Sequence, residues 1–296
     1  MSMTSTGGVR RYYDINGWLF VGPALALIAV FMIYPIAYSL WMSFQAGRGM
    51  VMKFAGFGNI VRLWNDPVFL KALGNTTIFF VVQVPIMLML ALVLAAALNN
   101  PKIKGSGLFR TAIFLPCITS LVAYSVIFKS MFTADGVVNS ALAAAHIISA
   151  PIPWLTDPYW AKVLIIIAIT WRWTGYNMIF YLSAMQNFDS SIYEAARVDG
   201  VSAWGRFVHL TVPMLKPVIL FTSVTSTIGT LQLFDEVRNI TNGEPADSTL
   251  TLSYYIYNLT FRFMPSFGYA ATVSYVIVAV VALLAFLQFF AARERE

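Results

Sequence analysis

The side chains that most often carry out catalysis or bind metals are few in this sequence and are not grouped. There is no Gly-Lys dipeptide, so a G-x-x-x-x-G-K-[ST] phosphate loop is absent, and no G-x-S-x-G nucleophile motif occurs. His146 and His209 lie far apart and outside any cluster with metal-ligand spacing. The single Cys117 lies in an apolar run, where a small buried hydrophobe is expected. The sequence therefore predicts a chain that is not an enzyme and that holds no metal or cofactor.

Arg172 is a charged residue inside the stretch Val163–Phe188, which is otherwise free of charge. An arginine at such a depth is costly unless it is paired or hydrated, so a functional role is the first expectation. The alternatives are an ion pair with another chain or a side chain that reaches outward to the interface. Trp173 and Tyr176 follow at i+1 and i+4, which places all three on one helical face. Their rings form a candidate ligand-binding wall, although such rings also serve packing.

A second candidate face follows further along the chain, at spacings of three, four and seven residues. Its members are Ser226, Gly229, Thr230 and Leu233. Hydroxyl groups on this face would supply hydrogen bonds beside the aromatic wall. The alternative is that these small residues only allow helices to approach closely. Further polar candidates nearby are Gln83, Asn177 and Gln232.

A polar loop between two apolar stretches is the third candidate. Glu194 lies in the opening turns of a short predicted helix, where a negative charge is favoured, and Gly200 is suited to end that helix. Ala195 and Ala196 leave a smooth side that fits a groove on another protein, and Pro213 sets the direction of the next apolar stretch. The alternative is a surface helix that merely joins two spans.

These groups must be positioned by helices in a membrane. The chain has 296 residues, of which 59% are hydrophobic and 11% charged, and this composition excludes a soluble globular domain, a disordered chain and a coiled coil. A helix needs about 20 apolar residues to cross a hydrocarbon core, where backbone groups find no other partners. We therefore predict an all-α integral membrane protein with six transmembrane helices, at about 18–44, 72–98, 108–131, 161–187, 214–235 and 268–291.

Lysine and arginine are denser on one side of the predicted spans, with 10 in 65 residues against 8 in 94 on the other side. The positive-inside rule then places both termini in the cytoplasm. The predicted organisation is a cytoplasmic segment 1–17, one membrane domain 18–291 with a cytoplasmic loop 188–213, and a tail 292–296. The first span is predicted to be retained, because its uncharged run is far longer than the core of a cleaved signal.

Two other classes of protein are weighed against this pattern. The net charge of +6 comes from scattered basic residues, which does not favour nucleic-acid binding. A stand-alone ion-coupled secondary carrier is the alternative function, since such carriers also consist of apolar helices. They usually hold acidic residues or histidine inside their helices and are built from repeats, and neither feature is evident here.

The polar loop resembles the E-A-A-x₃-G-x₉-I-x-L-P motif of ABC-importer permeases, with Leu210 and Val212 as conservative departures. Val198-Asp199-Gly200, Trp204 and Phe207 resemble the sugar-importer branch. The similarity extends over nearly the whole chain and points to permease subunits of the maltose-F, glycerol-phosphate-A and lactose-F type. Other matching segments are Tyr34-Pro35, Phe54–Asn59, Asp66-Pro67, Asn75-Thr76, Phe109–Thr111, Phe114–Pro116, Trp154–Pro158, Phe234-Asp235 and Tyr255–Tyr257.

The resemblance implies a type I ABC-importer permease fold in a bacterial inner membrane. It further implies transport of a sugar by alternating access, the sugar being a di- or oligosaccharide or a related polyol or sugar phosphate. The implied partners are a second homologous permease, two copies of an ABC ATPase that binds ATP and Mg, and an extracytoplasmic sugar-binding protein. The implied ATPase-coupling residues are Glu194, Ala195, Ala196, Gly200 and Pro213.

The same resemblance implies a substrate site on the fourth and fifth spans. Tyr176, 18 residues before Glu194, matches a tyrosine of the family's site. Arg172 and Thr230 depart from the maltose-type pattern, which implies a different sugar or a different binding mode. The candidate substrate-binding residues are Arg172, Trp173, Tyr176, Ser226, Gly229, Thr230 and Leu233.

Overall fold

A computed structural model describes residues 6–49, 51–100 and 103–293, so parts of both predicted terminal segments, 1–5 and 294–296, lie outside the described residues. The α-helices are α1 Thr6–Ile28, α2 Tyr34–Ser43, α3 Gly58–Trp64, α4 Pro67–Leu98, α5 Ser106–Ile118, α6 Leu121–Met131, α7 Val137–Ala144, α8 Pro158–Met185, α9 Ser190–Val198, α10 Ala203–Arg206, α11 Val212–Met214, α12 Lys216–Leu231, α13 Leu252–Tyr257 and α14 Phe267–Arg293. Short π-helical segments lie at Ala29–Ile33, Phe207–Thr211, Val237–Thr241 and Asn258–Arg262.

Helices long and apolar enough to cross a membrane account for most of the described chain. Four stand alone, at Gly17–Ser43, Pro67–Leu98, Pro158–Met185 and Phe267–Ala292. Two further pairs meet the same criteria only when taken together: α5 and α6 are bent by 100°, and Ala203–Met214 is bent by 70° against α12. The fold is therefore mainly helical, with four to six candidate spans.

Two of the long helices begin at Asp-Pro pairs, earlier than residues 72 and 161 where the apolar pattern places them. Asp66 caps α4 by accepting hydrogen bonds from the Val68 and Phe69 amides at 3.0 and 3.2 Å. Asp157 caps α8 in the same way, with two amide contacts at 2.9 and 3.0 Å. The proline that follows each aspartate lacks the N–H group that a first helical position leaves unpaired, so the pair defines a sharp start.

The helices predicted over 108–131 and 214–235 are not continuous in the structure. The first is broken between α5 and α6, because Pro116 weakens the end of α5 and the Thr119 hydroxyl closes it by donating to the Pro116 carbonyl at 2.8 Å. The second is shorter than predicted, since α12 ends at Leu231 and the chain turns at Gln232.

The all-α prediction also missed a small antiparallel hairpin, formed by β1 Gln45–Arg48 and β2 Val51–Phe54. Each strand has four residues and shows no regular alternation of apolar and polar side chains, so the sequence carries no strand signal there. The Asn59 side-chain amide donates to the carbonyls of Ser43 and Gln45, both at 2.8 Å, and ties the hairpin to α2 and α3.

The centre of the bundle is the contact between α4 and α8. Small side chains such as Ala91, Ala95 and Ala168 are fully buried there and let the helices approach closely. On another side of α8, Gly175 faces the backbone of α5: a Cβ atom at Gly175 would lie 2.0 Å from the Ile113 carbonyl oxygen. This crossing requires glycine and holds the neighbouring part of α8 in place.

The first span differs from the others because the most apolar 18-residue window of Gly17–Ser43 buries none of its residues within the described chain. It is attached at its end, where the Tyr275 hydroxyl on α14 donates to the Ile36 carbonyl at 2.6 Å. A long apolar helix left uncovered by its own chain must be covered by lipid or by another protein.

Candidate functional site

A cavity of about 350 Å³ lies between α8, α12 and the segment 232–236, closed by parts of α4 and α6. Six of the seven predicted substrate residues line it: Trp173, Tyr176, Ser226, Gly229, Thr230 and Leu233. The other lining residues are Gln83, Met87, Leu121, Ile169, Asn177, Thr225, Gln232, Phe234, Asp235 and Glu236. The structure thus brings the two predicted helical faces to one space, while their role as ligands stays a prediction.

The aromatic wall of the cavity is built by α8. Trp173 and Tyr176 meet edge to face with their ring centroids 5.8 Å apart, and Tyr176 meets Phe180 at 5.0 Å. Both Trp173 and Tyr176 are only half-buried, so part of each ring is free for contact. Partly open aromatic rings of this kind are typical of the walls of small-molecule binding sites.

The polar wall comes from α4, α8 and α12. The Thr230 hydroxyl donates to Gln83 Oε1 at 3.1 Å, which orients the buried Gln83 amide. The Asn177 amide nitrogen donates to the Trp173 carbonyl at 3.0 Å. Asn177 Oδ1 is buried without a hydrogen-bond partner among the described residues. Because a buried acceptor is costly when it is unpaired, this oxygen is suited to accept a hydrogen bond from a hydroxyl group of a ligand.

Arg172 is not among the described residues that line the cavity. It is 7% exposed, its Nε lies 4.0 Å from Glu236 Oε1, and its guanidinium carbon lies 5.2 Å from the Tyr124 ring centroid and 5.6 Å from that of Trp173. The sequence alternatives were a pair with another chain or an outward-reaching side chain; the structure instead gives a partner on the same chain.

Glu236 was not identified from the sequence as a site residue. The pattern placed it at the outer end of a helix, whereas the chain leaves the helix after Leu231 and turns back, bringing Glu236 to the cavity wall with 4% of its surface exposed. One signal could have identified it, but only as one of two candidates: an isolated buried arginine requires a carboxylate, and Asp235 and Glu236 both follow the next span.

The polar loop 188–213, which is predicted to dock on an ATPase, begins with the short helix α9. Asp189 caps it by accepting from the Ser191 amide at 2.9 Å, and this hydrogen bond lowers the pKa of the Asp189 carboxyl. Gly200 ends it with φ +74°, and the Val201 amide donates to the Ala196 carbonyl at 2.9 Å. This is the Schellman geometry that favours glycine, so the predicted end of the helix is found.

One side of this loop is exposed to solvent. Glu194 and Ala195 are exposed, while Ala196 is buried against the chain. Large apolar side chains accompany them, with Val198 88% and Trp204 71% exposed. An exposed tryptophan beside a smooth alanine surface is typical of a protein contact.

The loop is mechanically connected to the cavity. The Tyr193 hydroxyl lies 3.1 Å from the Thr211 hydroxyl, which joins α9 to the helical segment Ala203–Met214. Pro213 lies in the last turn of that segment, and the fully buried Leu215 follows at the bend into α12. Since α12 carries Ser226, Gly229 and Thr230, an unbroken series of contacts and helices joins α9 to the cavity.

Comparison with known proteins gives one family and one fold. The profile of the family described as "Binding-protein-dependent transport system inner membrane component" matches residues 56–296. The lactose transport system permease protein LacF of Rhizobium radiobacter is 73% identical to this chain, and the match covers 100% of both proteins.

Two solved structures have the same fold. One is a bacterial ABC transporter involved in the import of the acidic polysaccharide alginate, with a TM-score of 0.83, 23% identity and coverage of 96% of this chain and 99% of that one. The second is a bacterial alginate ABC transporter in complex with an alginate pentasaccharide-bound periplasmic protein, with a TM-score of 0.76, 23% identity and coverage of 96% and 94%.

Proposed function

Because this chain belongs to the family of binding-protein-dependent transport system inner membrane components, we propose that it carries a neutral disaccharide of the lactose type across a bacterial inner membrane. The chain is a multi-pass membrane protein and a non-catalytic sugar permease subunit of an ABC transporter, not a stand-alone carrier. The observation that carries the choice of sugar is the full-length 73% identity to a lactose permease.

The cavity supports a sugar as the transported molecule. Trp173 and Tyr176 offer open ring faces, and Asn177 offers an unpaired acceptor beside them. A volume of about 350 Å³ falls within the usual range for small-ligand sites, roughly 300–1,000 Å³. Arg172 does not line the cavity and acts on the site through its pair with Glu236, not through direct contact with the sugar.

The proposed topology has six spans, with both termini in the cytoplasm. It counts each bent helix pair as one crossing, so that α5 with α6 is the third span and Ala203–Met214 with α12 is the fifth. The density of lysine and arginine at the predicted inner segments supports this orientation. The loop 188–213 then faces the cytoplasm, where an ATPase is accessible.

The proposed coupling runs through Glu194, Ala195, Ala196, Gly200 and Pro213. Two copies of an ABC ATPase, which bind ATP and Mg, would be held by the loops of two permeases. The exposed Glu194 offers a charge for a basic residue of the ATPase, and Ala195 offers a surface without protruding atoms. Closure of the ATPases would move α9, the bend at Leu215 and α12 together, and so switch the access of the cavity.

The remaining proposed partners are a second, homologous permease and an extracytoplasmic sugar-binding protein. The uncovered first span, Gly17–Ser43, offers an apolar surface for the second permease. A structural relative is known in complex with a periplasmic protein that holds an alginate pentasaccharide, which supports a sugar-binding protein as a partner.

Affinity purification tests the proposed assembly. A tagged copy of this chain, expressed with its neighbouring genes, is expected to retain a second permease and an ABC ATPase whose hydrolysis rises when lactose-loaded binding protein is added. A chain that purifies alone, and whose preparation has no ATPase activity under these conditions, would contradict the proposal.

A further inference from the structure

The charged residues at the cavity are unevenly distributed. Its described lining contains two carboxylates, Asp235 and Glu236, and no lysine or arginine. The cation paired with Glu236 is Arg172, which is not part of the described lining. A ligand in the cavity therefore meets the negative side of the Arg172–Glu236 pair.

Burial makes the two carboxylates unequal. Asp235 is exposed, so water screens its charge, whereas Glu236 is 4% exposed and is held within the protein. The charge of a buried group is felt far more strongly by a ligand, since the effective dielectric constant is lower there. In its ionised form, Glu236 therefore acts on a ligand in the cavity more strongly than Asp235 does.

Glu236 forms an ion pair with Arg172. The guanidinium lies between the carboxylate, at 4.0 Å, and the rings of Tyr124 and Trp173. Arg172 is buried with these groups, its Nε and Nη1 make no hydrogen bond among the described residues, and its charge compensates a carboxylate that would otherwise be costly at this depth. It acts through Glu236 and does not contact the ligand, so its role is that of a positioning residue.

From this arrangement we infer that Glu236, held by Arg172, is the residue by which the cavity excludes anionic sugars. Its carboxylate accepts hydrogen bonds from the hydroxyl groups of a neutral sugar and repels a carboxylate, sulfate or phosphate on a charged one. The inference rests on the proposed function, and it deepens that function by naming the group that rejects charged sugars.

The test uses the purified importer complex and two matched probes. Radiolabelled lactose is displaced by unlabelled lactose or by its uronate, in which the C6 hydroxymethyl group of the galactose is oxidised to a carboxylate. The wild-type complex is expected to prefer lactose by about tenfold or more, because like charges a few ångströms apart repel strongly in a buried site. Glu236→Gln is expected to reduce this preference by at least about fivefold by removing the charge while keeping the shape.

Asp235→Asn is the matched control, since it removes the same charge from the adjacent but exposed lining residue. It is expected to change the preference by less than about twofold because water screens that charge. A Glu236→Gln complex that rejects the uronate as strongly as the wild type would overturn the inference. Failure of the wild type to bind either probe would instead contradict the proposed function, and the inference would fall with it.

The role of Arg172 has its own readout. Arg172→Met leaves Glu236 buried and unpaired and is expected to weaken lactose binding more than the double variant Arg172→Met/Glu236→Gln, which removes both charges. The double variant is expected to show the same relaxed selectivity as Glu236→Gln. If Glu236→Gln alone prevents assembly of the complex, the double variant takes its place in the selectivity test. Equal lactose affinities in Arg172→Met and the double variant would refute the positioning role.

Discussion

At the scale of single residues, the cavity combines open aromatic surface with a polar atom that the described protein leaves unsatisfied. Helical spacing and family resemblance together were sufficient to predict Trp173 and Tyr176 at this wall, because their positions depend only on the geometry of one helix. The place of Glu236 at the cavity wall could not be predicted in this way, since its burial depends on where α12 ends and how the chain turns afterwards. Local periodicity carries no information on such a turn.

Tyr176→Ala is predicted to raise the lactose concentration that half-maximally stimulates ATP hydrolysis by the complex, by roughly three- to tenfold, because an aromatic contact with the sugar is lost. Tyr159→Ala is the control, since Tyr159 begins the same helix but is exposed and lies outside the cavity lining. The measurement is ATPase activity against lactose in the presence of binding protein. An unchanged response in Tyr176→Ala would remove this residue from the site.

At the scale of helices, the apolar runs were sufficient to locate the long segments but not their ends. The Asp-Pro pairs move the starts of α4 and α8 outward, and the break at Thr119–Ser120 divides a run that looks continuous. The reason is that hydropathy averages over many residues, whereas caps and breaks depend on individual hydrogen bonds. Asp66 does more than cap: it also accepts from the hydroxyls of Tyr255 at 2.5 Å and Tyr269 at 2.6 Å.

Asp66→Ala is predicted to lower the stability of the chain by roughly 1–3 kcal/mol, because it removes a helix cap and two tyrosine hydrogen bonds at once. Asp157→Ala removes a cap of the same kind and serves as the control, with an expected loss of about 1 kcal/mol. Thermal unfolding of both variants in detergent measures the difference. Equal losses would show that the tyrosine contacts of Asp66 contribute nothing.

The same carboxyl of Asp66 is expected to make the start of α4 sensitive to acid. Burial raises the pKa of Asp66, but the hydrogen bonds from Tyr255, Tyr269 and the two backbone amides outweigh it and hold this pKa below its ordinary value of 3.8. The carboxylate therefore contributes stability that is present above about pH 4 and is lost as the pH falls through the lowered native pKa. Unfolding temperatures between pH 6 and pH 3 are predicted to fall more steeply in the wild type than in Asp66→Ala; parallel curves would contradict this.

At the scale of the whole molecule, the described residues combine an exposed loop at 188–213, the cavity and a bent helix between the two. The sequence was sufficient to predict the short helix α9 and its end at Gly200, because the motif is contiguous, and the family match over residues 56–296 confirms the class of permease. The connection between loop and cavity was not predictable, since it depends on the bend at Leu215 and on the contact between Tyr193 and Thr211. The hairpin at 45–54 was missed for the same reason, as its pairing is tertiary.

Gly200→Val is predicted to remove most of the ATPase from the purified complex, because a β-branched residue at φ +74° costs roughly 1–2 kcal/mol and reshapes the end of α9. Gly49→Val is the control, since Gly49 also has a positive φ, of 63°, but lies between β1 and β2 and outside the loop 188–213. The readout is the ratio of ATPase to permease after affinity purification. A normal ratio in Gly200→Val would contradict coupling through this loop.

The most direct test of the central claim is lactose uptake by proteoliposomes that contain this chain, its partner permease and the ATPase. We predict uptake that requires ATP together with lactose-loaded binding protein, persists when ion gradients are collapsed, and is lost when ATP is replaced by a non-hydrolysable analogue. Uptake by the purified chain alone, driven by a proton or sodium gradient without ATP, would contradict the claim.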